Sequence, residues 1–448
     1  MVEPTATKRT HTRVVVFTTD PVGPEMPGPA IRAWELARAL AEHLDVVLAS
    51  TVSVSGDHPN AELRLAEGAA IRELVDGTDV VFAPSALVYM AAELRQTDHP
   101  VAVDIYDPYH LENLEMGGPN PDLAGQDRPE QDRADQDRAD QDRADQDRAV
   151  TRLTGVANAG LRRGDFFTCA SERQRDFWLG SLSALGRVNA YTYEGDPLLA
   201  RLVSVVPFGL PGEPPRRAGP GLRGAVPGIG PDDKVVLWGG GVYNWLDPLS
   251  LVRAVDRLSR RTPEIRLVFL GMRHPNPAVP QMRVAVQLRE LSDQLGLTDK
   301  HVFFNAGWAP YGRRADFLLD ADVAVSTHLD HVETRYSYRS RVLDYLWAHL
   351  PMVLTAGDVL ADEVADAGLG VTVPAEDDEA IEEALAVVLA HPPPRELFAP
   401  VAERHTWGRA AQPLLQFCRS PGRAPDLLVA RLTPEGAAGP YAGYEGSQ

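Results

Sequence analysis

Residues 236–255 read VLWGGGVYNWLDPLSLVRAV, and their pattern indicates the fold class of the protein. Its apolar beginning predicts a strand that ends in three glycines, Gly239–Gly241. After a short connection, Asp247 and Pro248 are typical of a helix start, with the carboxylate as N-cap and the proline in the first turn. A strand that leads directly into a helix is half of a βαβ unit, so the stretch predicts a parallel sheet.

The same alternation of strand and helix runs through most of the 448 residues. We therefore predict an α/β protein with two tandem Rossmann-like, doubly wound domains that face each other across a cleft. The predicted strands are Val14–Thr18, Val46–Ala49, Val80–Ala83, Val101–Ile105, Phe166–Cys169 and Val203–Val206 in the first domain, and Val235–Trp238, Ile265–Leu270, Val302–Phe304, Val323–Ser326 and Met352–Thr355 in the second. The predicted helices include Pro29–His43, Pro248–Ser259, Val284–Leu295, Arg313–Leu319 and Ser340–His349.

Composition places the boundaries between these parts. The predicted organisation is a first domain over 1–209, a Pro/Gly-rich linker over 210–230, a second domain over 231–392, a helical segment over 393–418 that packs back on the first domain, and a mobile tail over 419–448. Within the first domain, residues 126–149 repeat the unit QDRAD. Five residues advance a helix by about 140°, so the repeat builds no apolar face and is interpreted as a surface insertion.

The overall composition excludes several classes of protein. The net charge is −19, which argues against nucleic-acid binding and against docking on anionic lipid. The two cysteines, Cys169 and Cys418, have neither a disulfide framework nor zinc-ligand spacing. Because no apolar run reaches the roughly 18 residues of a membrane span, we expect a cytoplasmic protein, with a peripheral contact at the inner membrane left open.

Residues 333–351 read ETRYSYRSRVLDYLWAHLP and follow the predicted strand Val323–Ser326. Arg339 and Arg341 should therefore lie at the carboxyl edge of the second sheet, which is also the edge of the triple-glycine turn. Guanidinium groups bind phosphate oxygens in a bidentate manner, and glycines let backbone N–H groups approach an anion. The stretch thus predicts a diphosphate site. The alternative is an ion network in which the arginines pair with Glu333, Asp330 and Asp344.

Over residues 13–418, leaving out the repeat, the chain resembles the family-4 glycosyltransferases of the GT-B fold. The resemblance rests on the order of PGPAIRAWELARALAEHLDVVLAS, TCASERQRDFWLG, SVVPFGLP, VLWGGGVYNWLDPLSLVRAV, LVFLG, VFFNAGWAPYGRRADFLLDADVAVS and LDYLWAHLPMVLT. It implies an enzyme that transfers a sugar from a nucleotide-diphosphate sugar to an acceptor hydroxyl, with retention of anomeric configuration and without a metal or other cofactor. The acceptor is a sugar, a lipid-linked glycan or a small natural product.

The resemblance also implies roles for particular residues. The donor-binding residues are Gly240, Gly241, Asn244, Arg273, Gly307, Trp308, Arg341 and Asp344. His110, Glu333 and Arg339 are the catalytic candidates, and Gly28, Arg32 and Asp107 are placed on the acceptor side.

Two departures from the family pattern bear on these roles. Asp344 stands seven residues before Pro351, at the family's second, ribose-binding glutamate, but the first glutamate position falls on Tyr336. Glu333, three residues earlier, is the substitute. In addition, the family's arginine and lysine are absent from the turn GGGVYNWLD, so that Arg339 and Arg341, or Arg273, must supply the charge.

Two other functions stay open. A GT-B sugar-nucleotide epimerase shares the two-domain plan and would use carboxylates that flank the sugar. A non-catalytic homologue that binds a nucleotide sugar or a partner enzyme would tolerate both departures.

Overall fold

The computed structural model describes residues 12–115 and 132–432, which form two compact units. Unit 1 contains residues 12–106, 156–207 and the described residues from Trp407 onward. Unit 2 contains residues 107–115, 132–155 and 208–406. The segment that begins at Asp107 therefore clusters with unit 2, although it lies within the predicted first domain.

The described strands of unit 1 form one parallel sheet in the order β3-β2-β1-β4-β5-β6-β7. Its strands are β1 (Arg13–Thr18), β2 (Asp45–Ser50), β3 (Glu62–Leu65), β4 (Val80–Pro84), β5 (Val101–Asp104), β6 (Phe166–Cys169) and β7 (Val203–Val205). The central strand β1 is buried on both faces, as expected for a parallel sheet covered by helices. The unpredicted strand β3 is an edge strand whose sequence ELRL is mostly exposed, so no apolar run marks it.

Helices from both ends of the chain surround this sheet. Those wholly in unit 1 are α1 (Gly28–Ala41), α2 (Ala69–Asp76), α3 (Ser85–Met90), α4 (Ala92–Gln96), α7 (Glu172–Ala184), α8 (Ala190–Glu194), α17 (Trp407–Ala410), α18 (Gln412–Arg419) and α19 (Pro425–Leu432). Helix α1 buries Ala33, Leu36, Ala37 and Leu40, which recur three to four residues apart and form its apolar face.

The described strands of unit 2 also form one parallel sheet, in the order β10-β9-β8-β11-β12-β13. They are β8 (Lys234–Gly241), β9 (Ile265–Gly271), β10 (Val302–Phe304), β11 (Val323–Ser326), β12 (Met352–Thr355) and β13 (Gly370–Val373). The chain reverses its direction of travel across the sheet between β8 and β11, which are neighbours through Val236 and Val323. In sheets of this order, ligands bind beyond the carboxyl ends of the strands at that switch point.

The helices of unit 2 are α5 (Tyr109–Glu112), α9 (Pro248–Ser259), α10 (Arg283–Gln294), α11 (Arg314–Leu318), α12 (Val332–Tyr336), α13 (Arg341–Trp347), α14 (Val359–Asp366), α15 (Asp378–Ala390) and α16 (Phe398–Ala402). Short 3₁₀ turns occupy Asn113–Glu115, Tyr311–Arg313, Arg395–Leu397 and Glu403–His405. Asp247 caps α9, as predicted, because its side chain accepts a hydrogen bond from the Ser250 backbone N–H at 3.0 Å.

The repeat forms part of a long helix, α6 (Asp132–Arg163). Most side chains of residues 140–149 are exposed, in agreement with the absence of an apolar face. Residues 126–131, at the start of the repeat, lie outside the described residues.

The beginning of the predicted mobile tail is ordered, which corrects that prediction. Asp165, buried in unit 1, accepts hydrogen bonds from the Arg423 side chain at 2.8 Å and from the Ala424 backbone at 2.9 Å. Asp426 of α19 pairs with the buried Arg187 at 2.5 Å. These ion pairs attach residues 423–426 to the unit, whereas residues 433–448 of the predicted tail lie outside the described residues.

Candidate active site

The glycine turn forms the last three residues of β8. The strand's register against β9 shifts between Trp238 and Gly241, and Gly240 has a φ of +129°. Side chains with a Cβ are strained at that angle, so the sequence must place glycine there. The Gly241 carbonyl oxygen accepts two hydrogen bonds, one from Trp238 Nε1 at 3.1 Å and one from Arg341 Nη2 at 2.8 Å.

Arg341, the first residue of α13, lies directly against this turn. Its guanidinium carbon is 4.8 Å from the centre of the Trp238 ring, a stacked cation–π arrangement. Burial lowers the pKa of the guanidinium, and the nearby charge of Arg339 lowers it further. Arg341 Nη1 is buried and has no hydrogen-bond acceptor among the described residues. The glycine turn has no cationic side chain of its own, and Arg341 on α13 provides a positive charge beside it.

Tyr345, one turn further along α13, is a residue of the site that sequence reasoning missed. Its hydroxyl donates to the Val325 carbonyl at 3.0 Å and accepts from the Gly239 N–H at 2.9 Å. A Cβ on Gly239 would lie 2.9 Å from the Tyr345 ring, so the close approach requires glycine. Tyr345 fixes α13 to β8 and β11, and burial raises the pKa of its hydroxyl to about 12. The feature of the sequence that could have indicated this role is the position of Tyr345 within an apolar helix face.

Arg339 and Glu333 form a buried ion pair, with Nη2 and Oε2 2.6 Å apart and side chains only 7% and 2% exposed. Glu333 lies on α12, and Arg339 lies between α12 and α13. Arg339 Nε is buried without an acceptor among the described residues. The predicted alternative, an ion network, therefore describes Arg339, while Arg341 bonds a backbone carbonyl instead.

Asp344, at the predicted ribose-binding position, faces a different arginine. Its carboxylate pairs with Arg314 Nε at 3.0 Å and remains partly exposed. The Arg314 guanidinium stacks between the rings of Tyr311 and Trp347, at 3.8 Å and 4.6 Å from their centres. Two aromatic faces and one carboxylate thus fix Arg314, which leaves Asp344 oriented and accessible.

The segment after β5 brings predicted acceptor-side residues to the same unit. Helix α5, which carries His110 and Glu112, packs against α12, which carries Glu333. Burial, and then the negative charges of Asp107 and Glu333, raise the pKa of Glu112 well above its usual range. Burial lowers the pKa of His110, which favours the neutral imidazole.

The remaining donor-side residues follow β8, β9 and β10. The Gly307 carbonyl accepts a hydrogen bond from the Met272 N–H at 3.3 Å, and Trp308 pairs with Gly271 in an isolated bridge. The Trp308 ring packs against Gly271, and its centre is 5.6 Å from the His274 ring centre.

Arg273 is exposed and lines a cavity of about 720 Å³. The Asn244 side-chain oxygen accepts from the Val284 N–H at 3.1 Å, so it holds the start of α10.

Trp308 also lines a second cavity, of about 780 Å³. Its wall is largely apolar and includes Val268, Leu270, Phe303 and Phe317.

Gly28 and Arg32 lie on α1 of unit 1. Arg32 is fully buried and binds Asp104 through two hydrogen bonds of 2.7 and 2.9 Å, with a third to the Val206 carbonyl at 2.7 Å. These bonds tie α1 to the carboxyl end of β5 and to the chain after β7. A Cβ on Gly28 would meet nothing within 4 Å.

Among the described residues, no group of three or more His, Cys, Asp and Glu side chains is arranged to hold a metal ion. The helices of the described ranges include none with the length and apolarity needed to cross a membrane.

Comparison with known proteins relates this geometry to a family. Residues 225–410, which cover most of unit 2, match the model of the family described as glycosyl transferases group 1. No curated protein matches the chain.

Solved structures resemble the chain over nearly its whole length. A sucrose-phosphate synthase from Thermosynechococcus elongatus has a TM-score of 0.58 at 17% identity, covering 94% of this chain and all of the other. Anabaena HepE in complex with UDP and glucose has a TM-score of 0.58 at 11% identity, covering 92% and 100%. The trehalose-6-phosphate synthase OtsA has 0.56 at 12%, also covering 92% and 100%. At these identities the likeness shows the fold, and it confirms the predicted GT-B architecture.

Proposed function

Since residues 225–410 carry a glycosyl transferases group 1 domain, we propose that the protein transfers a sugar from a nucleotide-diphosphate sugar to an acceptor hydroxyl, with retention of anomeric configuration and without a metal ion. The observation that carries the proposal is the position of Arg341 against Gly241, at the switch point of the second sheet. Its buried Nη1, with no acceptor among the described residues, is a donor suited to a phosphate oxygen.

The chemistry needs such a group. As the bond between the sugar's anomeric carbon and the phosphate oxygen breaks, negative charge builds on the departing diphosphate. A fixed guanidinium stabilises that charge more in the transition state than in the ground state, which is what lowers the barrier. Arg341 is already oriented by Trp238 and Gly241, so little reorganisation is needed when the charge develops.

Further residues take roles consistent with this assignment. Arg339, held by Glu333, adds a second positive charge near Arg341. Asp344, oriented by Arg314, offers its accessible carboxylate to the hydroxyl groups of a ribose. The backbone around Gly307 and Trp308 provides the N–H and C=O groups that would select the base. Because HepE is described in complex with UDP, we propose a uridine nucleotide as the first donor to examine.

The test is incubation of the protein with UDP-, GDP- and ADP-sugars, with and without a chelator. Slow release of sugar from one donor, undiminished by the chelator, is the expected result. With methanol added as the acceptor, the methyl glycoside, which cannot mutarotate, should show the donor's anomeric configuration by NMR. An inverted product would overturn retention, and a need for divalent cations would overturn metal independence. Formation of the epimeric sugar nucleotide would identify an epimerase, and nucleotide binding without turnover a non-catalytic homologue.

A further inference from the structure

The side chain of Tyr243 lies over the glycine turn that precedes it in the chain. If Gly241 carried a Cβ, that atom would lie 2.8 Å from the Tyr243 hydroxyl oxygen and 2.7 Å from the nearest ring carbon. Real Cβ atoms do not approach other atoms so closely, so glycine at position 241 is what allows the phenol to lie there. The hydroxyl is therefore at the carboxyl end of β8, where the proposed diphosphate site begins.

Arg341 lies against the same turn. Its Nη2 donates a hydrogen bond to the Gly241 carbonyl at 2.8 Å, and its guanidinium carbon is 3.8 Å from the position that a Cβ on Gly240 would take. Its Nη1 is buried and has no acceptor among the described residues. A hydroxyl donor and a guanidinium donor thus flank two consecutive glycines, and both are placed to bind oxygens of one diphosphate.

Neighbouring aromatic rings hold Tyr243 in this position. Its ring is stacked on that of Trp245, with centres 4.8 Å apart and planes at 6°, and the His274 ring lies across it in a T-shaped contact at 6.4 Å. The Leu246 backbone N–H donates to the Tyr243 carbonyl at 3.0 Å, which closes the connection between the two stacked rings. Because the phenol is already fixed, little side-chain entropy is lost when its hydroxyl binds a ligand.

We propose that Tyr243 is a donor-binding residue whose hydroxyl donates a hydrogen bond to the diphosphate of the nucleotide sugar. This inference rests on the proposed function and adds a residue to it. The stretch GGGVYNWLD contains no arginine or lysine, so the phenol provides a hydrogen-bond donor at the turn without adding a charge. An O–H group that donates to an anionic oxygen forms one of the stronger hydrogen bonds in proteins.

A neutral donor affects the balance between substrate and product. The free nucleoside diphosphate carries roughly one negative charge more than the sugar nucleotide, because its terminal phosphate loses a second proton at about pH 6. A lysine in place of Tyr243 would favour the more highly charged product, whereas a phenol adds no such preference. The positive charge of Arg339 is already balanced by Glu333. We therefore expect this site to release the nucleoside diphosphate more readily than a site with a lysine in the turn.

The experiment is calorimetric titration of wild type, Tyr243→Phe and Tyr243→Lys at mildly alkaline pH. Wild type is first titrated with UDP, GDP and ADP, and all three proteins are then titrated with the nucleotide that binds and with its glucose derivative. Tyr243→Phe keeps the ring and its stacking on Trp245 and removes only the hydroxyl group. The matched control is Tyr191→Phe, at an exposed tyrosine on α8 of unit 1.

Tyr243→Phe should bind the nucleoside diphosphate about tenfold more weakly than wild type, with an unchanged Tm, because one hydrogen bond to a charged group is lost. Tyr191→Phe should bind as wild type. Tyr243→Lys should favour the nucleoside diphosphate over the sugar nucleotide more than wild type does, and its affinity should fall more steeply with salt concentration.

Wild-type affinity in Tyr243→Phe would overturn the inference and leave the proposed function standing, since Arg341 would then bind the diphosphate without the phenol. An equal loss of affinity for the nucleoside without phosphates would overturn it too, because the hydroxyl would then contact the base or the ribose. If none of the nucleotides binds wild type, the proposed function fails and the role of Tyr243 fails with it.

Discussion

Arg341 Nη2 donates a hydrogen bond to the Gly241 carbonyl at 2.8 Å across 100 residues of sequence. This contact joins the start of α13 to the glycine turn of β8. The two elements meet because β8 and β11 are neighbours in the sheet, so the connection that follows β11 returns beside the end of β8. The link makes Arg341 the residue whose substitution tests the site most directly.

Arg341→Ala is predicted to weaken nucleoside-diphosphate binding by about 2 kcal/mol, because a charge-assisted phosphate contact in a desolvated site is lost. Arg341→Lys should recover only part of this loss, since an ammonium group keeps the charge but not the planar, stacked geometry. Calorimetry with UDP measures both. Arg335→Ala, at an exposed arginine of the same stretch, is the control and should bind as wild type. Full affinity in Arg341→Ala would remove the residue from the site.

Variants of the Arg339–Glu333 pair distinguish an effect on stability from an effect on nucleotide binding. Arg339→Ala leaves the carboxylate of Glu333 buried and unpaired, which should lower the free energy of unfolding by about 3 kcal/mol or more. Adding Glu333→Gln should restore much of that stability but not the nucleotide affinity, because the guanidinium is still missing. Thermal unfolding measures the stability, and titration with nucleotide measures the affinity, of Arg339→Ala, Glu333→Gln and the double variant. Together with wild type, these form a double-mutant cycle. Recovery of affinity together with stability would assign Arg339 a structural role alone.

Truncation of the C-terminus tests the ion pairs that residues 423–426 form with the rest of unit 1. Ending the chain at Arg419 removes the partners that Arg423 and Asp426 provide to the buried Asp165 and Arg187. The expected loss is about 3 kcal/mol of unfolding free energy, seen as a lower Tm. Ending the chain at Leu432 keeps both ion pairs and provides the reference Tm. Equal Tm values for the two truncations would contradict the attachment.

Deletion of residues 126–149 is predicted to leave stability and turnover nearly unchanged. The exposed part of α6 buries little apolar surface, and its i,i+3 pairs, such as Arg143 with Asp140, lie in solvent, where each contributes a few tenths of a kcal/mol at most. Circular dichroism should show the loss of helix, while the Tm stays within about 2 °C. A large fall in Tm would mean that the repeat helix supports the fold.

Glu363 on α14 is expected to make the stability of the protein depend on pH in the acid range. The hydrogen bond from His405, at 2.8 Å, lowers the pKa of Glu363, and the hydrogen bond from Arg404 adds to this effect. A carboxyl group whose pKa is depressed in the folded state stabilises the protein above its unfolded pKa, and that contribution is lost as the pH falls through the folded pKa. Glu363→Gln should therefore flatten the acid limb of a plot of stability against pH. Asp366→Asn, exposed on the same helix, should leave the limb unchanged.

Local sequence was enough to predict many of the helices and strands and the sheet edge at which the candidate site lies. β-branched runs and helix-capping residues predicted β6, β10, β11, β12 and α9 to the residue, because strand burial and the Asp247 cap are local properties of the chain. The alternation of strand and helix predicted parallel sheets, which then placed the glycine turn and the arginines at one edge.

Which side chains contact each other could not be predicted in this way, because it depends on tertiary packing. Periodicity reports that a side chain is buried, but not against which element, so the contacts of the Tyr345 hydroxyl with two strands were not predicted. In the same way, a run of charges does not reveal that Arg339 pairs with Glu333 while Arg341 bonds a carbonyl. The packing of helix α5 on α12, more than 200 residues away in the chain, was not predicted either. Such pairings depend on the order of strands in the sheet and on the packing of helices beside it, which local sequence does not encode.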